Sequence, residues 1–187
     1  ISNNHLSSKY SVSYQHNSTR KIPSAEQCGP NLIYTFNETT RELIISGSGP
    51  MYNFTSNQTF YNLGVSSCII NYGATSIGDS AFSSTRLTYI SIPNSVTIIE
   101  RSAFRYCSSL LNITLPNSLT SIAEYTFSFA KLAYILIPNS VTIIEQYAFS
   151  SCSNLLRIAL PDSLTSIGQG AFSYCQSLQC ILMPDRV

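Results

Sequence analysis

The sequence predicts a β-rich solenoid, a repeat fold in which each coil buries an apolar face against the next. Phenylalanine recurs with spacings of 22, 23, 22 and 23 residues, and proline with spacings of 23, 22, 23 and 23. Two residue types in register at such a period are typical of stacked repeats. The phenylalanines are Phe82, Phe104, Phe127, Phe149 and Phe172, and the prolines are Pro93, Pro116, Pro138, Pro161 and Pro184.

Long blocks of the array are nearly identical. Residues 92–100 (IPNSVTIIE) recur unchanged at 137–145, and residues 115–122 (LPNSLTSI) recur at 160–167 with Asp in place of Asn. The unit reads L-x-x-I-x-I/L-P-N-S-V/L-T-x-I-x-x-x-A-F-x-x-C. It predicts a curved, right-handed leucine-rich-repeat solenoid in which a two-repeat block was duplicated.

The segment before each proline alternates apolar and variable residues, which is the period of a strand with one buried face. Proline then ends the strand because it cannot donate a ladder hydrogen bond, and the Asn-Ser or Asp-Ser that follows favours a turn. We expect the apolar members to point inward. They are Ile90, Ile92, Ile113, Leu115, Ile135, Ile137, Ile158 and Leu160.

The chain returns to the core at a second apolar pair, Val96 and Ile99 in the first complete repeat. The A-F-x-x-C segment that follows is too short for a stable helix alone, so we predict one helical or 3₁₀ turn on the convex side. Its phenylalanine points inward, and the stacked repeats build a phenylalanine spine. No coil buries its apolar face alone, so stacking makes each one fold.

The chain divides into three predicted regions. Residues 1–27 are polar and aperiodic and are expected to form a flexible tail. Residues 28–67 form a β-hairpin cap, with strands at 32–36 and 42–46, that covers the open edge of the solenoid. Residues 68–187 hold about five repeats and a truncated sixth, and the first unit is degenerate, with Asn71 where proline belongs.

Composition argues against several classes of function. Ten Lys and Arg against nine Asp and Glu leave a formal charge of +1, and no run of five like charges occurs, so nucleic-acid and anionic-membrane partners are not expected. No apolar stretch is long enough for membrane insertion within this chain. The only histidines, His5 and His16, lie in the tail, and no CxxC pair occurs, so we expect no metal, no cofactor and no catalytic base.

Cysteine shares one repeat column with small residues, which predicts a tight buried site holding free thiols. The column consists of Thr85, Cys107, Ala130, Cys152 and Cys175. A Cys28–Cys68 disulfide is an open alternative to two free thiols. Cys180 aligns with an outward strand position and is expected to be exposed.

The outward strand positions form a concave sheet that is the predicted binding face. Tyrosine and arginine are common interface anchors, although a solvated face whose tyrosines only favour the strand is an equal alternative. The ligand-binding residues predicted on this face are Tyr89, Ser91, Asn112, Tyr134, Leu136 and Arg157.

Five N-x-S/T sequons occur, at Asn17, Asn37, Asn53, Asn57 and Asn112. Their number barely exceeds what the composition gives by chance, so they permit secretion without demonstrating it. Asn37, Asn53 and Asn57 are the predicted N-glycosylation sites. Asn112 is expected to be bare, because a strand would lock it into a sheet and a glycan there would block the concave face.

The unit ending I-P-N-S-V-T-x-I-x-x-x-A-F-x-x-C resembles the BspA-type (TpLRR) class of leucine-rich repeats, and the segment from Cys28 to Tyr52 resembles the region that often precedes such arrays. The departures are Asn71 for Pro, Thr126 for Ala, and Thr85 and Ala130 for Cys. The resemblance implies a non-enzymatic surface or secreted protein that adheres to host extracellular-matrix proteins or cell-surface ligands.

Two other functions are compatible with the sequence. One is a structural solenoid that self-associates through an uncapped C-terminal end near Ile181–Met183. The other is an intracellular interaction scaffold, since the chain carries no signal-peptide pattern and its predicted location rests on the resemblance.

Overall fold

The computed structural model describes residues 26–54 and 60–182, which wind into a mostly β solenoid of about six coils. The strands are, in chain order, β1 (Glu26–Gln27), β2 (Asn31–Asn37), β3 (Glu42–Pro50), β4 (Ser67–Ile70), β5 (Ala74–Ile77), β6 (Tyr89–Ser91), β7 (Ile98–Ile99), β8 (Ser121–Ile122), β9 (Tyr134–Leu136), β10 (Ile143–Ile144), β11 (Arg157–Ala159), β12 (Ser166–Ile167) and β13 (Cys180–Leu182).

Most coils contribute one strand to each of two parallel faces. The concave face contains β4, β6, β9, β11 and β13, and the second face contains β5, β7, β8, β10 and β12. The described residues contain one helix, the 3₁₀ turn Phe60–Leu63. Within these same ranges, no helix has the length and apolar character needed to cross a bilayer.

The predicted hairpin cap is confirmed, with longer strands than expected. β2 and β3 pair antiparallel from Asn31 opposite Ser48 to Asn37 opposite Glu42, and β1 extends the sheet on the far side of β2. On its other side β3 pairs in parallel with β4. The hairpin therefore covers the first edge of the solenoid, as the need to protect a strand edge requires.

The solenoid winding continues into the segment predicted as cap. The first half of β3 pairs with β4 on the concave face, and its end pairs with β5 on the second face. The Phe60 ring then lies 5.2 Å from the Phe82 ring, centroid to centroid. The described residues 42–54 and 60–63 thus follow the winding of a further coil, and Phe60 precedes Phe82 by the repeat spacing of 22 residues.

The missing proline of the first unit has a structural explanation. The backbone N–H of Asn71 donates to the Ile45 carbonyl at 2.9 Å, and its side-chain amide donates to the Ser46 hydroxyl at 2.9 Å. Proline has no N–H to donate. Asparagine at this position therefore ties the array to the cap.

The phenylalanine spine is confirmed as the centre of the core. Phe82, Phe104, Phe127 and Phe149 are fully buried, and Phe172 is partly buried at the end. Successive ring centroids lie 5.3–5.5 Å apart, with interplanar angles of at most 13°. The predicted inward strand residues are also buried, except that Ile92 is only partly so.

The A-F-x-x-C segments are turns in which two residues per coil have positive φ. In the first coil Ser83 and Thr85 donate to carbonyls three residues earlier, the bond of a 3₁₀ turn. Ser80 and Ser84, with φ of 57° and 61°, keep that turn from becoming a helix. Their N–H groups donate instead to the backbone carbonyls of Arg101 and Arg105 in the next coil, at 3.0 and 2.7 Å. The convex turns therefore form a third ladder between coils.

Candidate binding surface

The concave face presents the predicted alternation of outward and inward residues. Tyr134 and Leu136 are 44% and 59% exposed, while Ile135 between them is fully buried. In β11 Arg157 is exposed and Ile158 buried in the same way. The outward direction of these predicted ligand-binding residues is therefore confirmed, whereas their binding role stays a prediction.

Strand register brings three of the predicted residues together. Arg157 lies opposite Tyr134 in the parallel pair of β9 and β11, and Leu136 lies opposite Ala159. Neighbouring strands in a sheet are about 4.8 Å apart, so these side chains share one surface. We call Tyr134, Leu136 and Arg157 the concave patch.

The predicted strand at Asn112 is wrong. Residues 111–116 form no strand, and the two sheets end on either side of them, at β6 and at β9. Asparagine is disfavoured in strands because its amide competes for backbone hydrogen bonds, and this is the one repeat that has Asn at the first outward position. Tyr89 and Ser91 therefore belong to the cap-side sheet, separate from the concave patch.

The same break extends to the second face. β7 pairs with β5, and β8 pairs with β10, but no ladder joins β7 to β8 among the described residues. The convex ladder continues across this seam, with Phe104 donating to the Thr126 carbonyl at 2.9 Å. The two halves of the array are thus joined by turns and stacked rings rather than by paired strands.

The predicted glycosylation sites differ in their surroundings. Asn37 is exposed in the hairpin turn, where its side-chain oxygen accepts from the N–H groups of Thr39 and Thr40 at 2.9 and 3.1 Å. Asn53 is exposed, and its oxygen accepts from the Asp79 N–H at 2.9 Å. Asn57 lies outside the described residues, as does the sequon at Asn17.

Strand geometry gives no reason for Asn112 to be bare, which leaves only the obstruction of the concave face. Asn112 is exposed and lies in irregular backbone, so no strand holds it in a sheet. Exposed irregular segments are the usual places for modification. A glycan at Asn112 and a protein on the concave face remain competing occupants of the same side.

The thiols of the cysteine column make contacts between coils, with Cys107 and Cys152 fully buried and Cys175, at the end, partly buried. The Cys107 thiol donates to the Phe82 carbonyl at 3.1 Å, and Cys152 and Cys175 make the same contact with Phe127 and Phe149 at 3.0 and 3.1 Å. Burial raises the pKa of Cys107 to about 12. A protonated thiol is what this donor role requires, so the column is structural.

The remaining cysteines lie at the two ends of the array. Cys28 and Cys68 are fully buried free thiols where the cap meets the first coils. Burial raises the pKa of Cys28 to about 12 and holds that of Cys68 well above its usual value. Cys180 is partly buried rather than exposed, a correction to its expected position. Its strand, β13, pairs with β11, which covers part of the residue.

The convex side carries an aromatic cluster that the sequence analysis missed. The rings of Tyr106 and Phe129 stack at 4.7 Å and those of Tyr125 and Tyr147 at 5.2 Å, centroid to centroid. Arg105 lies between the two columns, within 5 Å of the Tyr106 and Tyr125 rings. Tyr106 and Phe129 each lie two residues after a spine phenylalanine, and Tyr125 and Tyr147 each lie two residues before one. This repeated spacing could have predicted the cluster.

Charged side chains are few in this chain, at 10% of its residues. Across residues 26–54 and 60–182, no group of three or more His, Cys, Asp or Glu side chains is placed to hold a metal ion. The single salt bridge of these ranges joins Arg101 and Glu124 at 3.4 Å. The arrangement is instead that of a rigid surface with aromatic, apolar and cationic contacts.

Comparison with known proteins identifies one family and several related structures. The family model described as BspA type leucine rich repeat region matches residues 75–187 in six copies. A leucine-rich repeat protein from Eubacterium ventriosum is 25% identical, with a TM-score of 0.79 over 89% of this chain and 45% of its own. A leucine rich cell surface protein from Faecalibacterium prausnitzii is 29% identical, with a TM-score of 0.65 over 82% of this chain and 38% of its own.

The leucine-rich repeat protein of T. pallidum, TpLRR, is 28% identical, with a TM-score of 0.62 over 79% of this chain and 66% of its own. The chain spans less than half the length of the E. ventriosum and F. prausnitzii structures. A search of curated proteins finds none that matches the chain.

Proposed function

The chain belongs to the family of BspA-type leucine-rich repeat proteins, and on that premise we propose that it is an adhesion module whose concave face binds a protein ligand. The fold is that of a protein-interaction module. The finer proposal is that the module works at the cell surface or after secretion, on a host matrix protein or cell-surface ligand. One observation carries the binding site: the concave patch groups exposed Tyr134, Leu136 and Arg157 on one sheet.

The chemistry of the concave patch supports a protein ligand. Leu136 exposes 59% of its surface on the same sheet as Tyr134 and Arg157, so the patch offers apolar as well as polar contacts. Tyrosine and arginine are enriched among residues that dominate binding energy. A rigid curved sheet presents them with little conformational entropy to lose on binding.

The extracellular location is supported by a relative. The F. prausnitzii structure is described as that of a cell surface protein, and it shares its fold with 82% of this chain. We propose the same location here. We also propose that the protein is not an enzyme, which its membership of this repeat family supports.

Binding to a panel of extracellular-matrix proteins and cell-surface glycans, measured by surface plasmon resonance, tests the proposal. Against the protein that binds, Tyr134→Ala and Arg157→Ala should each weaken affinity by about 1–2 kcal/mol, or roughly 5- to 30-fold. Lys131→Ala, which removes an exposed cation from the irregular backbone that precedes β9, is the matched control and should leave affinity unchanged. Unchanged binding in both patch variants would refute the concave site.

Mass spectrometry of the native protein tests the competing occupant. We predict that Asn112 is unmodified, because a glycan there would stand beside β9 and obstruct docking on the concave patch. Full occupancy at Asn112 would contradict the concave site and move the search to the convex side or the cap.

Self-association through residues near Ile181–Met183 is the second candidate function, and it stays a prediction from the sequence. Met183, the last residue of the predicted contact, lies outside the described residues. Light scattering would support this candidate if mass rises with concentration and Ile181→Glu abolishes the rise; a constant monomer mass would exclude it.

A further inference from the structure

We propose that the convex side of the first coils carries a second binding site, for an acidic saccharide, centred on Arg105. A depression of about 490 Å³ lies there. Tyr61, which follows Phe60, lines this depression together with Arg105 and Tyr106, which follow Phe104. Serine hydroxyls line the space between them, contributed by Ser80, Ser83, Ser84 and Ser102.

Arg105 is not required by the repeat. The residue that follows the stacked phenylalanine is serine in the other four complete repeats and tyrosine after Phe60, and it is arginine only here. Each of those serines is partly or fully buried, so the position faces a confined space. They are Ser83, Ser128, Ser150 and Ser173. Stacking of the coils therefore does not explain a long cationic side chain at this one position.

The guanidinium of Arg105 is held in place without a neutralising carboxylate. Its carbon lies 4.9 Å from the Tyr106 ring centroid and 4.8 Å from that of Tyr125. One terminal nitrogen donates to the Tyr106 hydroxyl at 3.3 Å, while Nε is buried without a hydrogen-bond partner. The salt bridge of the described ranges uses a different arginine, Arg101. A fixed, unneutralised guanidinium matches the planar geometry of a carboxylate or sulfate.

The tyrosines that hold Arg105 occupy strained backbone. Tyr106 and Tyr125 have φ of 60° and 55°, a region that bulky residues seldom adopt. Across the array the equivalent positions hold serine or glycine, as at Ser84 and Gly170, or another aromatic residue, as at Phe129 and Tyr147. At this place in the array the two tyrosines bring their rings to one cation, Arg105.

The rest of the lining determines the class of ligand. The hydroxyls of Ser83, Ser84 and Ser102 suit the hydroxyl groups of a sugar, while that of Ser80 donates to the Asp79 carboxylate at 2.7 Å. The exposed rings of Tyr61 and Tyr106 suit the apolar face of a sugar. A second depression of about 530 Å³ shares Tyr61 and adds Arg41 and Arg86. Cationic groups on both sides of Tyr61 fit an oligosaccharide with repeated acidic groups rather than a single acidic sugar.

Calorimetric titration of the intact chain tests this site. The probes are hyaluronan oligosaccharides, which carry carboxylates, heparin oligosaccharides, which also carry sulfates, and neutral maltohexaose. We expect one or both acidic probes to bind and maltohexaose not to bind. The stronger of the acidic probes identifies the preferred group. No binding of either acidic probe would overturn the proposal.

Matched variants separate this site from general charge attraction. Arg105→Ser installs the residue that four coils already carry, so it should fold and weaken acidic-saccharide binding at least 10-fold. Arg86→Gln should weaken binding several-fold, whereas Lys131→Gln, at the equivalent position two coils later, should not. Equal effects of Arg86→Gln and Lys131→Gln on saccharide binding would contradict a defined site. Tighter binding of poly-glutamate than of either acidic saccharide would also contradict the proposal, because it would indicate an acidic protein ligand.

Discussion

At the residue scale, the spine phenylalanines and the cysteine column determine how one coil meets the next. The sequence predicted both as buried because each recurs at a fixed position of the repeat. It could not predict the bond from the Cys107 thiol to the Phe82 carbonyl, since that contact joins residues 25 positions apart. Its geometry depends on the rise of the solenoid, which no local pattern contains.

Replacing a spine ring should have a large and position-specific effect. Phe127→Ala should cost about 3–5 kcal/mol in the free energy of unfolding, because the ring is fully buried between two stacked neighbours. Phe129→Ala is the control, since that ring is 45% exposed, and it should cost less than about 1 kcal/mol. Equilibrium denaturation measures both. Similar losses for the two variants would show that the inward assignment is wrong.

The buried thiols should make the protein sensitive to alkali. The pKa of Cys107 is raised from 9.0 to about 12 by burial, so its contribution to folding is complete below pH 9 and is lost as pH rises from 9 through 12. The loss per thiol has a limiting slope of about 1.4 kcal/mol per pH unit. Denaturation at several pH values should show this decline. Cys107→Ala should flatten it, and an unchanged slope in that variant would disprove the assignment.

At the element scale, strands were predictable where alternation and propensity agreed. The sequence Y-I-L at Tyr134–Leu136 satisfies both, and it forms β9. The sequence N-I-T at 112–114 keeps the alternation but starts with asparagine, and no strand forms. The convex turns were less predictable because serine, tyrosine and phenylalanine, rather than the glycine or asparagine expected at positive φ, occupy most of their left-handed positions.

Amide hydrogen exchange should reveal the seam between the two halves of the array. Residues 112–115 should exchange faster than 135–137, because the first segment lies outside the strand ladders and the second is paired. Asn112→Val should slow exchange there by favouring a strand. Equal protection of both segments in the native protein would mean that the ladder is continuous.

At the scale of the whole molecule, the fold followed from repetition, whereas the surfaces did not. Phe60 shows one limit, because its coil lacks the proline and the A-F motif and was predicted as cap. A second limit concerns the arginines around Tyr61, which are far apart along the chain and line two depressions that share this tyrosine. They are Arg41, Arg86 and Arg105. The concave patch was predictable because its residues occupy the same outward columns in adjacent repeats.

The proposed protein ligand binds the concave side and leaves the convex aromatic columns free. Hydroxyl-radical footprinting of the complex with the bound matrix protein tests that assignment most directly, because it measures the solvent access of individual side chains. We expect strong protection of Tyr134 and Leu136 in the complex and unchanged labelling of Tyr147 and Phe129. Protection of Tyr147 and Phe129, with Tyr134 and Leu136 still labelled, would contradict it.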